Sequence, residues 1–587
     1  MATGEERAPL LVAEYPGDGP KPGDDHVPIQ VVERNGNRKA LWPEAKRVLS
    51  LAIPISLSEV VSFIAYLITT AQVGRLGRLE LSAITLARSV FHITGLSLVV
   101  GMGSAVETFC GQAFGAKHFP VVGLVLQRAV LLCLLTCGLP LALWLRADWL
   151  MMRVMGQQPE VVALAAPFVR RLSPGLCMWA FITCIKNYLS SQGVVAPLTV
   201  VASVCTAATP LFNHVFMFQL GWGVLGAAVA YNLLQLLEVL LLVGAMVWLH
   251  LYGQETGCRT WNGFSTQAFR GWGEYMQIAL PSAAAICLDW WTYEAVVLIA
   301  GTLPDAKVQL GAMGLAFDTH ALLFMVVEGF SVAAATRVSN ELGAGRGRAA
   351  RFAALVCLGL GMAAPLGASA GLLSAPRQWA GLFTKDSNIT SLVVALMPVL
   401  TLSNLADSVV SVSSGVLRGS GRQELAFKVN LAVYWFLGLP LAAYLALRNH
   451  MGAMGLWLAM GFASALQAVI LLGGILQFDW PEEARKALRR VAASEEAGML
   501  ASAEAADASG AGTAAIIAAE VAERGEGSAA TATALTAAVA AVAVTAETQS
   551  RQRRGSLEAA AGHVMLHAGL GSRHGVHEPL LTAEHIT

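Results

Sequence analysis

Gly101-Met102-Gly103-Ser104-Ala105-Val106-Glu107-Thr108-Phe109-Cys110-Gly111-Gln112-Ala113-Phe114-Gly115-Ala116 returns, at its spaced positions, 228 residues further along the chain. Gly101, Ala105, Thr108, Gly115 and Ala116 recur as Gly329, Ala333, Thr336, Gly343 and Ala344. At the same offset Leu189 and Gly193 recur as Leu417 and Gly421, and Pro54 and Pro281 match at 227. A nearly constant offset across three regions does not arise from composition alone, so the chain reads as two copies of one unit.

The setting of these copies is a membrane. Of 587 residues 55% are hydrophobic and only 13% charged, with mean hydropathy +0.59, whereas soluble domains carry about 25% charged residues. Apolar segments near the roughly 20-residue length of a bilayer span fall at about 47–73, 82–108, 120–145, 161–189, 195–218, 223–250, 271–301, 308–334, 350–376, 391–417, 425–446 and 453–477. An even number of spans separates the copies, so both share one orientation. The expected fold is all-α and integral to the membrane: twelve transmembrane helices in two six-helix lobes, related by a pseudo-twofold along the membrane normal, with a binding cavity between them. The expected divisions are a polar cytoplasmic segment 1–44, an N-lobe 45–250, an inter-lobe loop 251–270, a C-lobe 271–480 and an Ala-rich, largely disordered cytoplasmic tail 481–587.

Net charge is zero, with 39 basic and 39 acidic side chains, which argues against a nucleic-acid partner. Basic residues gather before the first span (Arg34, Arg38, Lys39, Lys46, Arg47), after the eighth (Arg337, Arg346, Arg348, Arg351), after the tenth (Arg418, Arg422, Lys428) and after the last (Arg485, Lys486, Arg489, Arg490). The positive-inside rule then puts both termini in the cytoplasm, and the sequon Asn388-Ile389-Thr390 falls on the outer side. Glu6-Arg7-Ala8-Pro9-Leu10-Leu11 fits an acidic dileucine signal, so the expected location is the plasma membrane or a vacuolar or endosomal membrane. The nine cysteines form no C-x-x-C pair or Cys/His cluster and read as small buried hydrophobes; neither a disulfide framework nor a metal site is expected. The chain is expected to act as a monomer.

Chemistry enters through charges inside apolar segments. Cys287-Leu288-Asp289-Trp290-Trp291-Thr292-Tyr293-Glu294 lies mid-span, where an aspartate costs roughly 2.5–3.5 kcal/mol on insertion scales. Asp289 and Tyr293 lie one turn apart, while Asp289 and Glu294 are about 140° apart around the helix and cannot both face one small ligand. Asp318 and Asp407 add two more acids, and all four belong to the second half, whose counterpart positions in the first half lack them. Trp290 or Trp291 is placed to stack on a flat cation, and Asn213 lines the cavity from the first half or bonds a neighbouring helix. Glu107 and Glu328, near span ends, read as structural or gating residues.

With Arg337-Val338-Ser339-Asn340-Glu341-Leu342-Gly343-Ala344-Gly345 and Ser414-Gly415-Val416-Leu417-Arg418-Gly419-Ser420-Gly421, these motifs resemble the multidrug and toxic compound extrusion (MATE) family in its eukaryotic branch, over about residues 45–477. The resemblance implies two six-helix lobes forming a V and antiport of organic compounds, in eukaryotes usually against protons. It implies coupling roles for Asp289, where the family usually has glutamate, for Glu294, and for Asp318 and Asp407, which match acids of animal-like members shortened by one methylene. Thr69 stands where many bacterial members carry an aspartate, so an amino-lobe proton site of that type is not expected.

The resulting expectation is efflux of small organic, cationic substrates by proton antiport, with no catalytic residues and no cofactor beyond the coupling proton. Proton or cation coupling is assigned to Asp289, Glu294, Asp318 and Asp407, and substrate contact to Trp290, Tyr293 and Asn213. Burial disfavours the charged form of a carboxylate and makes protonation a usable switch. Rival readings are a proton-coupled exporter of anionic or neutral metabolites, disfavoured by the few cations seen in the spans, a Na⁺-coupled antiporter, and a flippase of lipid-linked precursors. An intramembrane enzyme lacks a G-x-G-D or H-E-x-x-H motif to support it, and a passive channel is distinguished by the absence of uphill accumulation.

Overall fold

The computed structural model describes residues 41–256 and 259–508. The dileucine pattern, Cys258 and the chain beyond residue 508 lie outside the described residues. Thirteen long helices follow in order among the described residues: α1 Leu41–Gly74, α2 Arg78–Gly115, α3 Phe119–Trp144, α4 in two pieces Pro159–Arg171 and Ser173–Ser191, α5 Ala196–Gln219, α6 Gly223–Thr256, α7 Trp272–Ala300, α8 Ala306–Gly343, α9 Gly347–Ser374, α10 Ser387–Ser420, α11 Gln423–Arg448, α12 Gly452–Leu476 and α13 Trp480–Ala508. The first twelve are the expected spans: eleven straight enough to cross singly, and α4 bent by 46°. The sequence reading treats α4 as continuous. The bend falls at Leu172, where Pro174 lacks the N–H that would bond back one turn.

The starts of the two halves' first helices pack across the seam, while their later turns stay with their own half. Ala45, Val48 and Ala52 of α1 are buried in the core built from the second half, and Tyr275, Ile278, Ala279 and Ala283 of α7 in the core of the first. The repeat residues lie on this seam. The Cα of Gly101 faces Ala283 of α7, and its counterpart Gly329 faces Ala52 and Ser56 of α1. Gly115 meets the Asn340 carbonyl while Gly343 meets the Gln112 carbonyl, and neither site has room for a side chain. Hydrogen bonds repeat at the same offset: Thr108 Oγ1 donates to the Arg418 carbonyl (2.5 Å) and Thr336 Oγ1 to the Ser190 carbonyl (3.2 Å).

These contacts gather at the end of the bundle where α1 and α7 begin and α2 and α8 finish. Buried Glu44 accepts from Arg337 (2.8 and 3.1 Å), which also bonds Glu341 (2.8 Å), itself bonded to Arg346 (2.6 Å). The polar amino-terminal segment therefore ends earlier than residue 44.

The expected tail also starts later than residue 481, because α13 is folded. Trp480, Ala484, Ala487 and Val491 are buried at helical spacing along one face. The first three pack in the second-half core and Val491 in the first-half core. Arg490 Nη1 bonds both Gln112 Oε1 (3.2 Å) and the Ser420 carbonyl (3.1 Å), so the helix touches both halves. The Ala-rich composition of 481–508 hides this stripe. A second compact unit begins at Gly498 and is described only as far as Ala508.

Candidate functional site

The four acids of the second half divide into two pairs. Asp289 and Asp407 turn into their own half, where every direct partner is neutral or a histidine. Asp289 Oδ1 accepts from Asn430 Nδ2 (2.7 Å), and the Asn430 side-chain oxygen in turn accepts from Gln467. Asp407 is buried; Tyr434 Oη donates to Oδ1 (3.4 Å), Ser403 Oγ to Oδ2 (3.4 Å), and His320 Nε2 lies 3.5 Å from Oδ2. Tyr293 Oη meets the same His320 Nε2 at 3.3 Å, and Tyr434 Oη meets Ser464 Oγ at 3.0 Å. A polar chain thus runs from Tyr293 through His320 and Asp407 to Tyr434 and Ser464. A small cavity beside it is lined by Tyr293, Phe317 and Trp457 among others.

Part of this geometry comes from α11. Its segment Leu431–Gly438 is wound as a π-helix just ahead of Pro440, and Asn430 and Tyr434 sit at and within it. Wider turns of this kind shift side-chain phase and recur at functional sites. Trp435 Nε1 donates to the Leu288 carbonyl (3.2 Å) from the same segment, tying α11 to α7.

Glu294 and Asp318 turn the other way, towards the first half. Cys287 Sγ meets Ser97 Oγ (3.4 Å), Trp291 Nε1 donates to the Ile93 carbonyl (2.9 Å), and Glu294 accepts from Ser89 Oγ (3.3 Å). These three α7 positions are spaced i, i+4, i+7, one stripe against α2. The angular separation of Asp289 and Glu294 read from the sequence is realised as two different neighbours. Trp290 lies beside His92, ring centroids 6.0 Å apart. Asp318 makes no direct hydrogen bond or ion pair among the described residues, and the opposite charge acting on it is Arg88 of α2.

Asn213 takes the inter-helix alternative. It is buried, and its Nδ2 donates to Thr69 Oγ1 (3.0 Å) and Gln72 Oε1 (2.9 Å), which fixes α5 against α1. Glu107 and Glu328 share Arg418: its Nε meets Glu107 at 2.7 Å and its Nη2 meets Glu328 at 3.6 Å.

The sequence reading passes over the charges of the first half. Lys186 on α4 pairs with Glu59 on α1 (2.8 Å), and Glu238 on α6 acts on the same ammonium. The Arg88 guanidinium lies 3.6 Å from the centroid of the Tyr66 ring and bonds Thr70 Oγ1 (3.2 Å). The spans therefore hold more cations than expected. The signal was there, charged residues inside apolar runs, but these four have no acidic counterpart in the second-half motifs. His320, Asn430, Tyr434 and Gln467 carry no such signal, because polar uncharged residues are common in spans. Among the described residues no group of three or more His, Cys, Asp or Glu is placed to hold a metal ion.

Two six-helix copies that grip each other at one end, with acids buried in the spans, define a multi-pass membrane transporter. Comparison with known proteins agrees. The MatE family model matches residues 54–215 and 281–444, one copy in each half. Protein DETOXIFICATION 16 of Arabidopsis thaliana is 33% identical over 461 residues, covering 78% of this chain and 93% of its own. Human Multidrug and toxin extrusion protein 1 is 34% identical over 464 residues, covering 78% and 80%. The crystal structure of the eukaryotic MATE transporter AtDTX14 superposes with a TM-score of 0.72 at 31% identity, covering 77% of this chain and all of that one. The chain belongs to the MATE family of multidrug and toxin extrusion transporters, which move small organic substrates across membranes and are not enzymes.

Proposed function

We propose that this transporter exports organic cations in exchange for protons, with Asp289 and Asp407 as the groups that alternate between proton and cation. The observation that carries the reading is the company these two carboxylates keep. Their direct partners are amides, hydroxyls and one imidazole, so among the described residues no lysine or arginine neutralises them at hydrogen-bond range. An anionic carboxylate inside a span needs compensation, and a proton or a cationic substrate supplies it in turn. Release of one on binding the other, coupled to rocking of the halves about the seam, gives antiport. Tyr293 lies at the edge of this site through His320, and Trp290, Glu294 and Asp318 face α2 of the first half. Both termini are assigned to the cytosol from the basic flanks, and the working unit to a monomer.

The test is uptake of a fluorescent organic cation into proteoliposomes under an imposed pH gradient. Accumulation on the acidic side, abolished in Asp289→Asn with insertion intact, is the expected result. Full activity of that variant removes the assigned role. Arg88 favours a second reading, export of organic anions, because it is a span guanidinium with no direct carboxylate partner among the described residues. Anion uptake without cation uptake in the same vesicles would select it.

A further inference from the structure

The two halves hold α13 unequally. Its first two turns belong to the second half. Trp480, Ala484 and Ala487 lie in that half's core, and the Trp480 carbonyl rests against Gly347 of α9, where a side chain would have no room. Arg422 Nε donates to Glu483 (3.1 Å), and Lys486 Nζ meets the same carboxylate (3.1 Å). The chain itself joins this end to α12 through residues 477–479.

One turn further on, the first half takes over. Val491 is buried in the first-half core, and Arg490 Nη1 donates to Gln112 Oε1 of α2 (3.2 Å) and to the Ser420 carbonyl at the end of α10 (3.1 Å). Gln112 Nε2 in turn donates to the Gly419 carbonyl (3.1 Å). Gly421, which ends α10 with φ +74°, lies under the Arg490 guanidinium, and a Cβ there would strike it. The duplication supplies a comparison within the molecule. At the offset of 228 residues Gln112 corresponds to Asn340, and Gly193 to Gly421. Gly193 shares the left-handed backbone (φ +76°) but faces a Leu51 methyl, and Asn340 Oδ1 meets no donor among the described residues. The bridge through Arg490 thus caps the first copy's motif and comes from outside both copies.

The residues it caps are those of the seam. Gly343 meets the Gln112 carbonyl and Gly115 the Asn340 carbonyl, and rocking of the halves parts these contacts. A helix bridging two bodies that separate must let go of one of them. We infer that α13 is a latch on this end of the transporter, hinged on the second half from Trp480 to Ala487 and caught on the first by Arg490 and Val491, so that the catch keeps the seam shut and releases when it opens. The inference requires only that the halves part here, whatever the substrate, so it stands apart from the cation-export reading.

The test is the rate at which a thiol placed in the seam reacts with N-ethylmaleimide in the purified full chain in lipid nanodiscs, followed by mass spectrometry. Asn340→Cys supplies the thiol, because Asn340 is 6% exposed and faces Gly111 of the first half. On this background Arg490→Gln is expected to speed labelling about tenfold, while Cys137 and Cys357, buried in the cores of the two halves, react no faster. Arg490→Lys keeps a donor for one of the acceptors and should stay within about threefold of its parent. Val491→Ala leaves every charge in place and should speed labelling about threefold, which keeps the test decisive if Arg490→Gln does not accumulate. Unchanged labelling of the seam thiol in both Arg490→Gln and Val491→Ala overturns the latch. Equal acceleration at the seam thiol, Cys137 and Cys357 overturns it too, because that is general loosening of the fold. Failure of cation uptake by the wild type, with the labelling pattern as expected, overturns the export reading and leaves the latch standing.

Discussion

The two halves share a fold and differ in how they handle buried charge. In the second half, Asp289 and Asp407 are held by Asn430, Tyr434, Ser403 and His320. In the first, Glu59 is answered by a lysine and Arg88 by an aromatic face. A carboxylate with only neutral donors has one strong way to lose its charge, protonation, or it must attract a mobile cation. A carboxylate paired with lysine, as Glu59 is, has a partner within the protein itself. The same six-helix unit therefore supports a titratable core in one copy and a compensated one in the other.

The sharpest way to break this contrast is Asp407→Asn. The amide keeps one oxygen to accept from one of the two hydroxyls and can donate its N–H to the other, so folding should survive while pH-driven uptake falls to the level of protein-free liposomes. Thermal unfolding in detergent and proteoliposome uptake, read together, check it; retained uptake would erase the distinction between the halves. Lys186→Met should show the opposite balance. It leaves Glu59 unanswered and should cost about 2–3 kcal/mol, below the 3–5 of a fully buried pair because both partners keep some exposure. Glu59→Gln with Lys186→Met should recover most of that loss in the same unfolding measurement.

The seam offers a smaller and more symmetric test. Gly115→Ala and Gly343→Ala each drive a methyl into a backbone carbonyl of the other half, and each should cost about 1–2 kcal/mol through overpacking. Equal losses support the reciprocal seam, and a large inequality in unfolding temperature argues against it. The smallest effect is expected at α13. Burial opposes ionisation of Glu483, but hydrogen bonds from Arg422 and Lys486 outweigh it and hold this carboxyl below its usual range. A depressed value means the contribution is complete above the ordinary glutamate range of about 4.3 and is lost as pH falls through the folded value. Glu483→Gln should therefore loosen α13 by about 1 kcal/mol at pH 7 and by progressively less as pH falls through the folded value, followed by limited proteolysis after Trp480.

Much of the site was legible before any fold was known, and the gaps follow one rule. Asp289, Glu294, Asp318 and Asp407 announce themselves as charges in apolar runs, and the angle between the first two follows from helix geometry. Lys186 and Glu238 give the same signal but stand apart from the repeat motifs. Asn213 reads in sequence as either a cavity residue or an inter-helix tie, and in the fold it ties α5 to α1. Asn430 and Tyr434 owe their aim to a π-wound segment that no local pattern marks.

The sequence by itself determined the membrane setting, the twelve spans and the duplication, because hydropathy and repeat spacing are local properties that survive translation along the chain. Tertiary structure alone decided that the starts of α1 and α7 pack against the opposite half, which acid meets which partner, and that α13 is anchored across both. Those outcomes depend on which helices become neighbours, and pairing between residues far apart in the chain leaves no periodic trace in either segment.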